Sequence, residues 1–141
     1  MFKWLQKFKT SPIPKEVVMN QNNKILILGA RGNLGSQMRD VLANTYRLLL
    51  WGRDEMDVSN FQVLKAKIRE HKPNVIINCV AYNAVDKCEE EEGLLLAQEL
   101  NRDLPKTLAE ISQETGAILV HYSTDYVFDG EKEAYNEVSQ T

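Results

Sequence analysis

Lys24-Ile25-Leu26-Ile27-Leu28 runs directly into Gly29-Ala30-Arg31-Gly32-Asn33-Leu34-Gly35, and this junction constrains the fold more than any other stretch of the chain. A short unbroken apolar run ending in glycine reads as a strand buried on both faces, as in a parallel sheet. Three glycines then recur at every third position ahead of a helix-forming stretch. Gly29 permits a tight turn, Gly32 lets backbone approach a pyrophosphate with no Cβ in the way, and Gly35 lets helix and strand pack closely. The helix opening here offers free N–H groups and the positive end of its dipole, which suit phosphate. In this strand–turn–helix context the spacing predicts a dinucleotide site at Gly29, Arg31, Gly32, Asn33, Leu34 and Gly35. The competing reading is that the glycines serve a tight turn alone.

Beyond that junction strands and helices alternate. Leu34, Met38, Val41 and Leu42 mark one face of a first helix, and Arg47 to Trp51 form a second apolar strand. A short third strand is expected at Met56-Asp57-Val58. Ser59-Asn60-Phe61-Gln62 reads as a capping box with Ser59 at the N-cap, opening a helix with Phe61, Leu64 and Ile68 inward. Val75 to Cys79 is a fourth strand. A long helical stretch follows with Ala97, Leu100, Leu104, Leu108 and Ile111 as its stripe, Pro105 as a kink and Gly116 as its terminal glycine; Ala117 to Tyr122 is a fifth strand. The alternation predicts an α/β fold, a doubly wound parallel sheet truncated after strand five.

Such sheets select NAD with an acid at the end of strand two, about 20 residues beyond the turn. Here that place reads Leu50-Trp51-Gly52-Arg53. Arg53, with help from Arg31, matches a 2′-phosphate, because guanidinium fits phosphate geometry. NADP is therefore the expected cofactor, with NAD kept open by Asp54 and Glu55 next to it.

Composition narrows the function classes. Across 141 residues, 43 % are hydrophobic and 26 % charged, the balance of a globular domain, and the net charge of −3 leaves no basic field for nucleic acid. No apolar run approaches the ~18 residues of a membrane span. Cys79 and Cys88 are too few and too oddly spaced for a zinc cage or a disulfide framework, so no metal is expected and a reducing, cytoplasmic setting is. Residues 1–23 stand apart as an N-terminal extension: four lysines against Glu16 give it +3, leaving −6 for the remainder. Met1, Trp4, Leu5 and Phe8 fall at helical spacing before Ser11-Pro12-Ile13-Pro14, so the extension is either a weak membrane-surface or partner-docking helix or an untidy leader to a domain at 24–141.

Residues 29–35, the Asp57-Val58 pair, Val75 to Asp86, Asn101 and above all Ser123-Thr124-Asp125-Tyr126-Val127-Phe128-Asp129-Gly130 resemble the dTDP-4-dehydrorhamnose reductases, a branch of the extended short-chain dehydrogenases with a Rossmann-like, NAD(P)-binding domain. The resemblance implies that Asp57 and Val58 flank the adenine and that Cys79, Val80, Ala81 and Tyr82 line the nicotinamide side. It implies that Asn101 supports the site from the long helix, that Thr124 is the catalytic hydroxyl, and that Ser123, Asp125 and Tyr126 face the substrate. The activity it implies is NAD(P)H-dependent reduction of the C4 ketone of dTDP-4-dehydro-L-rhamnose to dTDP-L-rhamnose. The family's tyrosine and lysine, in a Tyr-x-x-x-Lys motif, have no counterpart: four residues beyond Tyr46, Tyr82, Tyr122, Tyr126 and Tyr135 stand Leu50, Asp86, Tyr126, Gly130 and Ser139.

The expected domain is therefore incomplete at its C-terminus and inactive alone. One side of strands four and five is expected to lack cover and strand five to be an open edge, so that the chain is marginal in stability or relies on a homo-oligomer or a complementing C-terminal fragment. Three classes follow: the cofactor-binding part of a nucleotide-sugar reductase, a non-catalytic NADP-binding module like the methionine adenosyltransferase regulatory subunit, or a gene fragment without function.

Overall fold

The computed structural model describes residues 19–124, 128–131, 134–136 and 139. The N-terminal extension up to residue 18 lies outside them. Of the described residues, 19–121 form one compact unit and those from Tyr122 onward belong to a second, each described by itself.

The first unit is a parallel sheet between helices. Its elements are β1 (Lys24–Leu28), α1 (Asn33–Leu42), β2 (Arg47–Trp51), α2 (Phe61–His71), β3 (Val75–Asn78), α3 (Glu91–Gln98), α4 (Leu104–Thr115) and β4 (Ile118–His121). All neighbouring strands are parallel, in the order β2-β1-β3-β4. Leu28 stands level with Trp51 and with Asn78, so β1, β2 and β3 end along one rim. β1 and β3 are the inner pair, which explains their unbroken apolar runs: apart from Lys24 at its start, every residue of both is buried.

The inward residues of the sheet feed two cores. On one face Leu26, Leu28, Trp51 and Ile76 meet Leu64 and Ile68 of α2 and Leu104, Leu108 and Ile111 of α4. On the other, Ile25, Ile27, Val75 and Ile77 meet Met38 and Leu42 of α1. Right-handed crossovers dictate this division, since β1-to-β2 and β2-to-β3-to-β4 travel in opposite directions across the sheet. α2 and α4 lie side by side and are tied by Lys65–Glu110 at 2.7 Å and Arg69–Glu114 at 2.6 Å.

Four local expectations are corrected. Met56-Asp57-Val58 is not a strand: Met56 N–H donates to Gly52 O at 3.0 Å, and its buried side chain plugs the α2-side core from within a turn. The N-cap of α2 is Asn60, whose Oδ1 accepts from Val63 N–H at 3.1 Å, and not Ser59. Leu34 and Val41 do not face the sheet; both are exposed, Leu34 because it sits in the open first turn of α1 and Val41 because it lies on that helix's outward flank. Pro105 makes no kink of its own; it occupies the first turn of α4, where a missing N–H costs nothing, and the irregularity before it is a π-turn at Glu99–Asp103.

The uncovered side is narrower than expected. β3 is wholly buried, with Val75 and Ile77 packed into the α1-side core between the rows of β1 and β4. Exposure is confined to the sheet's margin, where β4 is the last strand and Val120 is 37 % exposed.

Candidate cofactor site

The glycine turn stands where β1 ends. Gly29 N–H donates to Trp51 O at 2.8 Å, which ties the turn to the end of β2, and Cys79 N–H donates to Leu28 O at 3.0 Å, which ties β3 to the same point. Gly29 has φ +72°, and a Cβ there would lie 3.1 Å from the Cys79 carbonyl and 3.2 Å from Val80. The turn and the segment after β3 are thus brought together. Gly35 is tighter still: a Cβ would stand 2.2 Å from Gly29 O, so α1 can begin this close to the strand only without a side chain.

Gly32 is the N-cap of α1, and no side chain caps the helix nor is there an acid in its first turn. The first helical bond is Ser36 N–H to Gly32 O at 2.9 Å, which leaves the amides of Asn33 and Leu34 facing outward at an exposed turn. A helix end without a cap of its own is a receptor for an external anion. The geometry therefore fits a phosphate group on a test the chain could have failed, since an Asp or Ser at position 32 would have filled the place itself.

Around the rim, the segment after β3 is held by two amides. Asn78 is buried; its Oδ1 accepts from Val80 N–H at 3.1 Å and its Nδ2 lies 3.1 Å from His121 Nδ1 on β4. Asn101, within the π-turn, accepts from Tyr82 N–H at 2.8 Å and donates to Tyr82 O at 2.9 Å. Asn101 thus supports the segment from Cys79 to Tyr82 by gripping its backbone, and the wide π-turn is what aims it. Burial pushes the Cys79 thiol up, so it is a neutral packing group beside Gly29.

The end of β2 differs from the sequence reading. Arg31 is paired with Asp54 at 2.9 Å and, more closely, with Glu55. Glu55 also accepts from Gly52 N–H at 2.8 Å, and the Arg31 guanidinium followed by that amide holds its carboxyl below the usual range. Arg53 is exposed and, among the described residues, carries no ion pair. Asp57 and Val58 serve the turn and the core: Asp57 Oδ1 accepts from Ser59 N–H at 3.0 Å, and Val58 packs against the α2-side cluster. Arg39 on α1 was not singled out from the sequence, yet it lines the same recess as Arg31 and Glu55. The signal was available, because Arg39 follows Gly32 by seven and Gly35 by four, on the same helix face.

In the second unit Ser123 and Thr124 are exposed, while Asp125 and Tyr126 lie outside the described residues. Asp129 accepts from Glu131 N–H at 3.1 Å and from the Tyr135 hydroxyl, Gly130 takes φ +77°, and Phe128 stacks on Tyr135 at 4.3 Å.

A parallel sheet with an uncapped, glycine-lined helix start at its carboxyl rim defines a Rossmann-like α/β protein. Residues 23–141 match the family described as RmlD substrate binding domain. The chain belongs to that family, the dTDP-4-dehydrorhamnose reductases. It is 37 % identical over 119 residues to the dTDP-4-dehydrorhamnose reductase of Burkholderia thailandensis, covering 84 % of this chain and 39 % of that one. With the Salmonella typhimurium enzyme of the same name the identity is 39 %, over 75 % of this chain and 36 % of the relative. The chain thus spans under two-fifths of the length of these curated relatives. A Clostridium acetobutylicum dTDP-4-dehydrorhamnose reductase superposes with a TM-score of 0.74 at 42 % identity, over 83 % of this chain and 42 % of that one. The Bacillus anthracis enzyme, solved in complex with NADP, gives 0.71 at 34 % identity, over 79 % and 40 %.

Proposed function

We propose that this chain binds a nicotinamide dinucleotide, NADPH in preference to NADH, and is the cofactor-binding part of a reductase acting on a nucleotide-linked 4-ketosugar of the dTDP-4-dehydro-L-rhamnose type. The observation that carries the reading is the bare N-terminus of α1, with Asn33 and Leu34 amides directed at the place a pyrophosphate would take. The bound cofactor would supply hydride to the ketone carbon. The chain's own part is to hold the pyrophosphate on α1, to present the Cys79–Tyr82 segment to the nicotinamide side, and to place the Thr124 hydroxyl where charge develops on the ketone oxygen. Arg53 is available to a 2′-phosphate. A NADP-bound relative supports the choice of cofactor class.

A second reading is a non-catalytic dinucleotide-binding module, which needs the glycine turn alone and no Tyr-x-x-x-Lys pair; these 141 residues contain none. Both readings require nucleotide binding. Titration of the purified chain with NADPH tests that common ground: saturable binding is expected, and its absence defeats both. Ketosugar-dependent NADPH oxidation separates them. The chain alone is expected to show none, whereas a companion polypeptide carrying a Tyr-x-x-x-Lys pair should restore turnover if the reductase reading holds. Turnover that stays at background in the complemented mixture leaves the binding module.

A further inference from the structure

Of the chain's seven glycines, Gly93 leaves the least room for a side chain. A Cβ there would stand 1.9 Å from Lys87 O, 2.6 Å from Lys87 C and 3.3 Å from Cys88 N, all of them backbone atoms. Gly93 is buried in the first turn of α3, and the atoms that crowd it belong to a 3₁₀ turn at Val85–Glu89. Its φ is not positive, so the close approach is what requires glycine here, not a left-handed backbone. The 3₁₀ turn is the far end of a strap that begins at Cys79. At its start Cys79 N–H donates to Leu28 O at 3.0 Å and Val80 N–H to Asn78 Oδ1 at 3.1 Å. Midway Asn101 grips the Tyr82 backbone at 2.8 and 2.9 Å, and at the end the Lys87 carbonyl sits on Gly93. Gly93 and Asn101 belong to one continuous helical run through α3, the π-turn and α4, so two points of the strap are fixed to a single rod.

We propose that Gly93 is a positioning residue for the nicotinamide end of the cofactor: by letting the Val85–Glu89 turn seat directly on α3, it sets where the Cys79–Tyr82 segment stands. The inference rests on the dinucleotide reading of the glycine turn and adds to it a residue that touches no ligand. Any side chain at position 93 must push the Lys87 carbonyl back by about 1.5 Å, since ordinary contact begins near 3.4 Å. Only residues 83–86 separate Lys87 from Tyr82. With Asn101 holding Tyr82, so short a link passes the displacement on to Tyr82 and the backbone before it. The pyrophosphate end is held elsewhere, by the amides at the start of α1, and is spared. A side chain at 93 therefore disturbs one half of the dinucleotide and leaves the other in place.

The test is a calorimetric titration of wild type, Gly93→Ala and Leu95→Ala with NADPH and with 2′-phospho-ADP-ribose, the same nucleotide without its nicotinamide, together with a urea unfolding curve for each protein. Wild type is expected to bind NADPH more tightly than the shortened nucleotide. Gly93→Ala is expected to weaken NADPH by about tenfold and to leave 2′-phospho-ADP-ribose within about twofold. Leu95→Ala, exposed on the same helix, is expected to move neither. A Gly93→Ala that weakens both ligands alike, or neither, overturns the inference, as does a Leu95→Ala that reproduces the selective loss. Should Gly93→Ala unfold, deuterium exchange on the wild type decides: NADPH must slow exchange across residues 85–90 while 2′-phospho-ADP-ribose does not, and equal protection by the two overturns the inference. Failure of the wild type to bind either nucleotide overturns the dinucleotide reading and this inference together, whereas binding of both with equal affinity overturns this inference alone.

Discussion

Gly32 and Gly35 occupy one turn yet serve different ends, and alanine substitution at each should separate ligand binding from folding. At Gly35 a Cβ would sit 2.2 Å from Gly29 O, 2.8 Å from Gly29 C and 2.9 Å from Ala30 Cα, all backbone atoms that no rotamer change can move. Relief requires α1 to back away from β1 by about 1 Å, since ordinary contact begins near 3.4 Å. Overpacking of this kind costs about 1–3 kcal/mol, offset by up to ~1 kcal/mol from the better helix propensity of alanine. Gly35→Ala should therefore lower the unfolding free energy by about 1–2 kcal/mol and, by shifting the amides of Asn33 and Leu34, weaken NADPH binding by about tenfold or more. At Gly32 the backbone has φ −74°, which alanine adopts freely, and a Cβ would meet only Gly29 O at 3.3 Å. Gly32→Ala should lower stability by no more than about 1 kcal/mol, the usual difference between glycine and alanine at an N-cap, but weaken NADPH by at least about tenfold, because its methyl stands where phosphate approaches. Urea unfolding and fluorescence titration read the two effects separately. If Gly32→Ala binds as wild type, or if Gly35→Ala unfolds at the wild-type urea concentration, the roles assigned to these glycines are wrong.

Three further outcomes are expected. Asn101→Ala removes both bonds to the Tyr82 backbone and should destabilise the chain by about 1–3 kcal/mol in urea unfolding, with Asn101→Asp no better because its carboxylate would oppose Tyr82 O. His121 is held below the ordinary imidazole value of 6.5 by burial of its ring, with Nδ1 turned to Asn78 Nδ2. Its neutral form is the one that suits the fold, so the unfolded chain binds the proton more readily and stability should fall as pH drops below about 6.5, a slope that His121→Gln should flatten in unfolding curves between pH 7 and 5. Val120→Lys, on the exposed margin of β4, should reduce light scattering on warming and binding of an apolar-surface dye while changing stability by no more than about 0.5 kcal/mol.

How much of this was legible in the sequence follows from burial. β1 and β3 could be read because a strand between parallel neighbours must be apolar throughout, β2 because four apolar residues in a row follow Arg47 even at the sheet's edge, and the glycine turn because its spacing answers to steric demands that only glycine meets. The Met56-Asp57-Val58 misreading has the same root: one buried methionine makes a three-residue apolar pattern, but its N–H turns back to Gly52 instead of pairing with a strand. The π-turn at Glu99–Asp103 left no mark in the apolar stripe, since Leu100 and Leu104 stay inward through it, and only the Asn101 grip on Tyr82 shows why it is there. At the end of β2, residue types alone placed Arg31, Arg53, Asp54 and Glu55 together. Which arginine the two acids would claim depended on the path of the backbone around Gly52.

β4 is attached to its sheet along a single side, through β3. Amide exchange with deuterated solvent should accordingly reach Ile118–His121 well before Ile25–Leu28, which are flanked on both sides. Thr124 follows that strand by three residues, so the hydroxyl proposed to meet the ketone is joined in sequence to an edge strand, while the glycine turn springs from an inner one. Mild warming or dilute denaturant should therefore abolish turnover in the complemented mixture while the chain still retains its nucleotide.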